Sequence, residues 1–318
     1  MLALILVLQT LAVAVSGPPS SLEYLPLRVA EAGGHFERER VLVALTTTNT
    51  DAGAAEALAQ GEVDLAASSL GAMLRFGPQP ARQAPKLLLG LTPAPPVALV
   101  VSAGPGSPVR SLGDLIGRRV GITVPGAPEN AWLVASLAGA GVRVNDVELV
   151  SLGSRGVVQA LTSGGVQAAL VGEPLASRLI GEGQARVLAD LRGPAAVERA
   201  VAGVTVSAAV FARADRLPPE PVLTAFARAV LSATRWLAAA SPDAFAATMP
   251  PSVVGPLEDL ALRLDAARGL YLAQGRLTPA ELRQSIKLLR AYHPLSSAPR
   301  PDDMLLSGPL TRAIRSLD

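Results

Sequence analysis

Cysteine is absent from the 318 residues. That absence removes disulfides, a thiolate nucleophile, a zinc ribbon and lipid attachment to an N-terminal cysteine, and it leaves the redox compartment open. Aromatic residues make up only 3% of the chain, too few to build the stacking platforms that hold single-stranded nucleic acid or flat cofactors. The two histidines, His35 and His293, stand in no metal-ligating spacing. Neither a nucleophile elbow nor a phosphate-cradling loop occurs, and the Gly-rich run 103–107 lacks the strand-to-helix setting of a dinucleotide site. Lysines and arginines are almost all isolated, so a net charge of +2 provides no basic tract for nucleic acid. No enzyme, cofactor or metal chemistry is expected from this residue set.

What is present is core. Half of the residues are hydrophobic and 17% are charged, enough apolar material for two folded units at this length. The opening run MLALILVLQTLAVAVSG has the length of an export-signal core but no Lys or Arg ahead of it. It is short for a membrane span and is interrupted by Gln9 and Thr10. Residues 1–10 therefore read as the remnant of an incompletely represented signal peptide, which makes the expected location periplasmic or otherwise extracytoplasmic. Cleavage near Ala14 or Ser16 would remove the first strand, so the true start is expected upstream.

The chain repeats itself. Residues 13–34 align without gaps with 120–141, and residues 57–70 with 160–173, in the same order. Each copy reads as a short strand, a Pro/Gly loop and an amphipathic helix, with Gly61 and Gly164 ending equivalent later helices. Runs at 41–45 and 147–152 supply another strand apiece, giving two doubly wound α/β units. Apolar strands at 97–102 and 204–211 are expected to carry the chain across and back as a two-strand hinge. This divides the molecule into lobe 1, residues 11–99 and 206–318, and lobe 2, residues 100–205. From Pro221 the pattern is helical over 222–240, 243–248, 257–274 and 279–292, and the tail from His293 reads as irregular chain over lobe 1.

Ligands of open parallel sheets lie outside the carboxyl ends of the strands, near helix N-termini. That rule selects Ser16, Gly17, Ser20, Ser21 and Tyr24 after the first strand, and Ser68 and Ser69 later in the same unit. In the second unit it selects Thr123, Gly126, Ala127 and Asn130, and then Glu173. Hydroxyl and amide groups suit a small polar ligand, and Glu129 or Glu173 suits an amine or protonated ring. Arg155 is the nearest cation for an acid. Each residue also has a plain structural reading: Ser20, Ser21 and Asn130 as caps or turns, Glu129 as dipole compensation, Tyr24 as core, Asp64 as a backbone-orienting group.

The runs EYLPLRVAEAGGHFERERVLVAL, ALAQGEVDLAASS, SLGDLIGRRVGITVPG and NDVELV, with the Glu173-Pro174 pair, resemble the nitrate, sulfonate, taurine and thiamine-pyrimidine group of periplasmic solute-binding proteins. The resemblance covers residues 12–212. It implies a bilobal periplasmic-binding-protein fold of the type II, Venus flytrap kind, with a ligand in the interlobe cleft. It also implies partnership with an ABC permease and its ATPase, and a monomer. Sulfonate-type relatives place a small hydroxyl residue where this chain has Ala127, which weakens oxyanion coordination. The alternative is a cytosolic cofactor-biosynthesis enzyme on the same fold, although the pyrimidine synthases of this type use a cysteine-rich segment. The effector-sensing half of a transcription regulator is disfavoured because no helix-turn-helix precedes residue 12.

Overall fold

The computed structural model describes residues 10–104, 107–293, 295 and 299–317, apart from the side chains of residues 154 and 155. The proposed signal remnant, residues 1–10, therefore lies outside the described residues except for Thr10. Ten strands are described: β1 (Leu11–Ser16), β2 (Val43–Thr48), β3 (Leu65–Ser69), β4 (Pro85–Gly90), β5 (Val97–Ser102), β6 (Arg119–Ile122), β7 (Glu148–Ser151), β8 (Ala168–Gly172), β9 (Ala185–Asp190) and β10 (Ala208–Arg213). They form two five-stranded sheets, ordered β2-β1-β3-β10-β4 and β7-β6-β8-β5-β9.

The internal repeat is visible in the registers. Val13 pairs with Leu65 in one sheet and Val120 with Ala168 in the other, so equivalent pairs are separated by the same 107 and 103 residues as the two sequence blocks. β1 and β6 are each parallel to their two neighbours. Alternate side chains bury on either face, and helices cover both faces, which accounts for the almost uninterrupted apolar strands.

Three expectations are corrected. The sheets are mixed: β10 runs antiparallel to β3 and β4, and β5 antiparallel to β8 and β9. β5 and β10 are the strands expected to be the hinge, yet each is buried inside a sheet, entering from the other lobe and so running against its neighbours. The crossings are the segments just before them, residues 91–96 and 202–207. Second, the helix expected over 257–274 stops at Arg268. Beyond it, the Leu272 amide bonds the Leu91 carbonyl, and Gly275 lies so close to the Gly90 carbonyl that a Cβ there would sit 3.0 Å from that oxygen. Third, the tail is helical at Pro301–Met304 and Ser307–Arg315. It packs on lobe 1, where the Leu306 amide bonds the Leu87 carbonyl.

The Pro279–Tyr292 helix starts as its sequence suggests, with Thr278 and Glu281 in a reciprocal capping box. The two crossings are joined at Thr205, which is fully buried. Its hydroxyl donates to the Pro93 carbonyl at 2.7 Å and accepts from Trp132 Nε1 at 3.2 Å. Val206 N–H reaches Ser285 on the Pro279–Tyr292 helix at 2.9 Å. Replacing Thr205 with Val keeps the volume but leaves a buried indole N–H and a carbonyl unpaired. It should lower stability by about 2 kcal/mol, seen in urea unfolding as a lower midpoint at unchanged slope.

Candidate functional site

A cavity of about 380 Å³ opens between the lobes. Its floor is made at the carboxyl edge of the first sheet, where Ser16 ends β1 and Ser69 ends β3. Because β10 is antiparallel and pairs Ala208 with Ser69, its amino end reaches the same edge and adds Ser207. Thr50, the N-cap of the Asp51–Gln60 helix that follows β2, and Asp51, its first residue, line one side, and Arg75 and Phe76, at the end of the Leu70–Phe76 helix, line another. From the second lobe come Gly126, Ala127 and Pro128, then Ala131 and Trp132 of the Glu129–Gly139 helix. Leu289, Tyr292 and His293 cover the cavity from the end of the Pro279–Tyr292 helix. Tyr292 Oη accepts the Gly126 N–H at 3.1 Å.

Of the residues selected from the sequence, Ser16, Ser69, Gly126 and Ala127 line this cavity. The others lie behind or away from it. Gly17, at φ +72°, makes the turn that bonds its amide to the Thr48 carbonyl at 2.9 Å. The Ser20 carbonyl accepts from the buried Arg263 guanidinium at 2.8 Å, and Ser21 precedes the Leu22–Tyr24 turn without a capping bond. Tyr24 is buried with its hydroxyl on Asp51 Oδ1 at 2.6 Å, while the buried Ser68 hydroxyl donates to the Asp51 carbonyl at 2.8 Å. Thr123 donates to Glu129 Oε1 at 2.9 Å. Asn130 is fully buried and holds the Val124 carbonyl through Nδ2 at 2.8 Å. Asp64 accepts the Ala12 N–H at 2.9 Å.

Glu173 is occupied elsewhere. Its side chain is 1% exposed and is paired with Arg192 at 3.1 Å and with the Ser177 hydroxyl at 2.9 Å. Arg192 is itself clamped to Asp190. The Arg155 side chain lies outside the described residues. Asp51, Arg75, Ser207, Tyr292 and His293 were not selected from the sequence. Asp51 was within reach of the strand-end rule, which applies to the loop after β2 as much as to those after β1 and β3.

Carboxylates dominate the electrostatics. Burial, then the neighbouring Asp51 and Glu129, push the Glu23 carboxyl well above the ordinary glutamate range. Burial, then Asp51 and Glu23, raise the Tyr24 phenol. Burial and nearby Arg75 lower the His293 imidazole, which keeps it neutral near pH 7. Arg75 is exposed, its guanidinium 4.9 Å above the Phe76 ring. Two buried polar atoms on the cavity wall, Ser207 Oγ and His293 Nε2, have no hydrogen-bond partner. Hydrogen-bonding capacity, one exposed cation and the Asp51 carboxylate are thus set against apolar surface from Phe76, Leu289 and Tyr292.

These features sit in a known family. The NMT1/THI5-like family model matches residues 21–244, and the chain belongs to that family. A structure from Bordetella bronchiseptica RB50 is similar, with 23% identity, coverage of 97% of this chain and 98% of that one, and a TM-score of 0.73. The periplasmic aliphatic sulphonate-binding protein SsuA of Escherichia coli is 17% identical over 95% of this chain and 99% of its own, with a TM-score of 0.69. The desulfurization enzyme DszB is 17% identical over 98% and 100%, with a TM-score of 0.63. No curated protein matches by sequence. The shared fold is the bilobal periplasmic-binding-protein architecture, and it carries both solute binders and an enzyme.

The raised Glu23 pKa has a sign that can be measured. The folded protein holds that proton more tightly than the unfolded chain, so the contribution to stability is complete below the unfolded pKa and is lost as pH rises through the folded one. Glu23→Gln should raise the melting temperature at about pH 8 and leave it nearly unchanged at about pH 4, read from paired thermal melts.

Proposed function

We propose that this protein is the solute-binding component of an ABC importer. It captures a small polar molecule of the sulfonate, nitrate or pyrimidine-like kind between its lobes and presents the closed form to a permease and its ATPase. The observation that carries the reading is the cavity wall itself, built by the ends of β1 and β3 on one side and by Gly126–Trp132 on the other. A ligand touching both walls favours the state in which they approach, and rotation about the crossings at 91–96 and 202–207 brings them together. The moving bodies are the lobe built on the β2-β1-β3-β10-β4 sheet and the lobe built on the β7-β6-β8-β5-β9 sheet, which moves the boundary expected at residue 99 to the crossing before β5. The protein acts outside the cytoplasm, as a monomer.

A second reading, an enzyme on the same fold, draws on one observation. His293 has an unpaired Nε2 on the cavity wall, and the DszB enzyme shares this architecture. An enzyme would turn a bound compound over and lose that turnover in His293→Ala, whereas a carrier would return it unchanged.

Binding only the folded state stabilises it by about 2.7 kcal/mol when ligand is present at about 100 times its Kd. At least one member of a panel of small anions, amines and heterocycles should therefore raise the melting temperature and reduce the radius of gyration in small-angle scattering. A panel without either response would overturn the solute-binding reading.

A further inference from the structure

The floor of the interlobe cavity holds a hydroxyl that the fold leaves without a partner. Ser207 is 1% exposed, and its Oγ, on the cavity wall, makes no hydrogen bond. A buried hydroxyl in that state costs stability unless something that binds there completes it. Main-chain bonds fix its place: the Ser207 carbonyl accepts from the Leu70 amide at 2.7 Å, and the Ser207 amide reaches the Thr92 carbonyl at 2.8 Å. Ser207 therefore stands next to Ser69 at the end of β3. Ser68, one residue earlier, donates its hydroxyl to the Asp51 carbonyl at 2.8 Å. These bonds gather Ser207, Ser69 and the start of the Asp51–Gln60 helix at one end of the cavity.

The same wall carries one charge of each sign. Among the described residues, Asp51 is its only carboxylate and Arg75 its only arginine or lysine. The Asp51 carboxylate accepts the Tyr24 hydroxyl on Oδ1 at 2.6 Å, and the Arg75 guanidinium lies 4.9 Å over the Phe76 ring, but no ion pair among the described residues takes up either charge. Arg75 is near the end of the helix that Ser69 caps, about 9 Å further along its axis. The negative charge is thus tied to the floor and the positive one stands toward the solvent end, with Ala72, Phe76 and Leu289 supplying apolar surface. Helix dipoles favour an acid in a first turn and a base in a last turn. That accounts for each charge singly, and it does not account for the unpaired Ser207 hydroxyl.

We propose that the solute is a zwitterion, an amino carboxylic acid whose ammonium and carboxylate are separated by an apolar stem. Asp51 takes the ammonium, Ser207 accepts one of its hydrogens, and Arg75 takes the carboxylate. This rests on the solute-binding reading of the cavity. Each end of the solute supplies the counter-charge that the wall lacks. A solute with a single charge would leave the opposite wall charge uncompensated as closure excludes water, where that omission costs most. A planar carboxylate meets the guanidinium fork through two parallel hydrogen bonds. A sulfonate has a third oxygen to satisfy, and Ala127 on the second-lobe side of the wall offers it no hydroxyl.

Thermal shift and calorimetry on the full chain test this with unbranched amino carboxylic acids of increasing stem length, set against the amines, carboxylic acids and amino sulfonates of the same skeletons. At least one amino carboxylic acid should bind about tenfold or more tighter than each of its three counterparts. Arg75→Gln should remove most of its advantage over the amine, and Asp51→Asn most of its advantage over the carboxylic acid. Arg75 is exposed and in no ion pair, so Arg75→Gln keeps the test sound if Asp51→Asn loosens the Tyr24 bond. Ser207→Ala removes an unpaired buried hydroxyl, so the empty protein should melt no lower than the parent while the amino acid binds several-fold more weakly. A hydroxyl with a purely structural role would show the reverse. If a singly charged counterpart or an amino sulfonate binds as tightly, or Ser207→Ala leaves affinity unchanged, this inference falls while the solute-binding reading stands. The same holds if no amino carboxylic acid binds but another solute of the wider panel does. If no solute binds at all, both fall.

Discussion

One buried hydroxyl joins the two crossings on which the bilobal arrangement depends. Thr205 donates to Pro93 in the first crossing, belongs itself to the second, and accepts from Trp132 of the lobe 2 helix whose N-terminus faces the cavity. The neighbouring bonds follow the same pattern: the Ser207 amide reaches the Thr92 carbonyl, and the Val206 amide reaches Ser285. Polar groups buried this deeply must pair internally, and pairing them across the two crossings makes a short, ordered pivot. Ser207 is two residues from Thr205, so the same pivot fixes one side of the cavity floor.

The cavity takes its chemistry from where strands stop. Strands running in the same direction end at one edge, and their last residues line the space between the lobes. Ser16 and Ser69 are there for that reason. The carboxylates follow from a related constraint, because the loops open helices whose N-termini favour acids. Acidic first turns accordingly open a helix on each lobe, at Asp51 and at Glu129. The Arg178–Asp259 ion pair joins the two lobes away from the cavity.

Much of the fold was legible because its cues are local. Gly61 and Gly164 adopt left-handed conformations, at φ +77° and +75°, that end equivalent helices, and repetition of such punctuation exposed the two units. Thr278 before Pro279 marked a helix start correctly for the same reason. What escaped depends on partners distant in sequence. β4 and β9 carry no distinctive pattern, and the direction of β10 is set by the lobe it comes from, so Ser207 stayed hidden until the antiparallel pairing put its amino end on the floor. Tyr292 ends a helix whose sequence reveals the start but not that its last turn meets Gly126. Glu173 follows an apolar strand as a pocket residue would, but Arg192 takes up its charge.

The exchange of β5 and β10 between the halves bears on how the chain is made. Neither sheet is assembled from one continuous stretch: β3 and β4 leave a gap that only residues 208–213 can fill, after the whole second lobe has been synthesised. Until then the first lobe emerges from the ribosome with two unsatisfied strand edges in its middle. Contacts so far apart in sequence close slowly, and open edges recruit other chains. The swap that binds the finished lobes together therefore also delays their completion, leaving a long interval in which the nascent chain is extended and in need of protection.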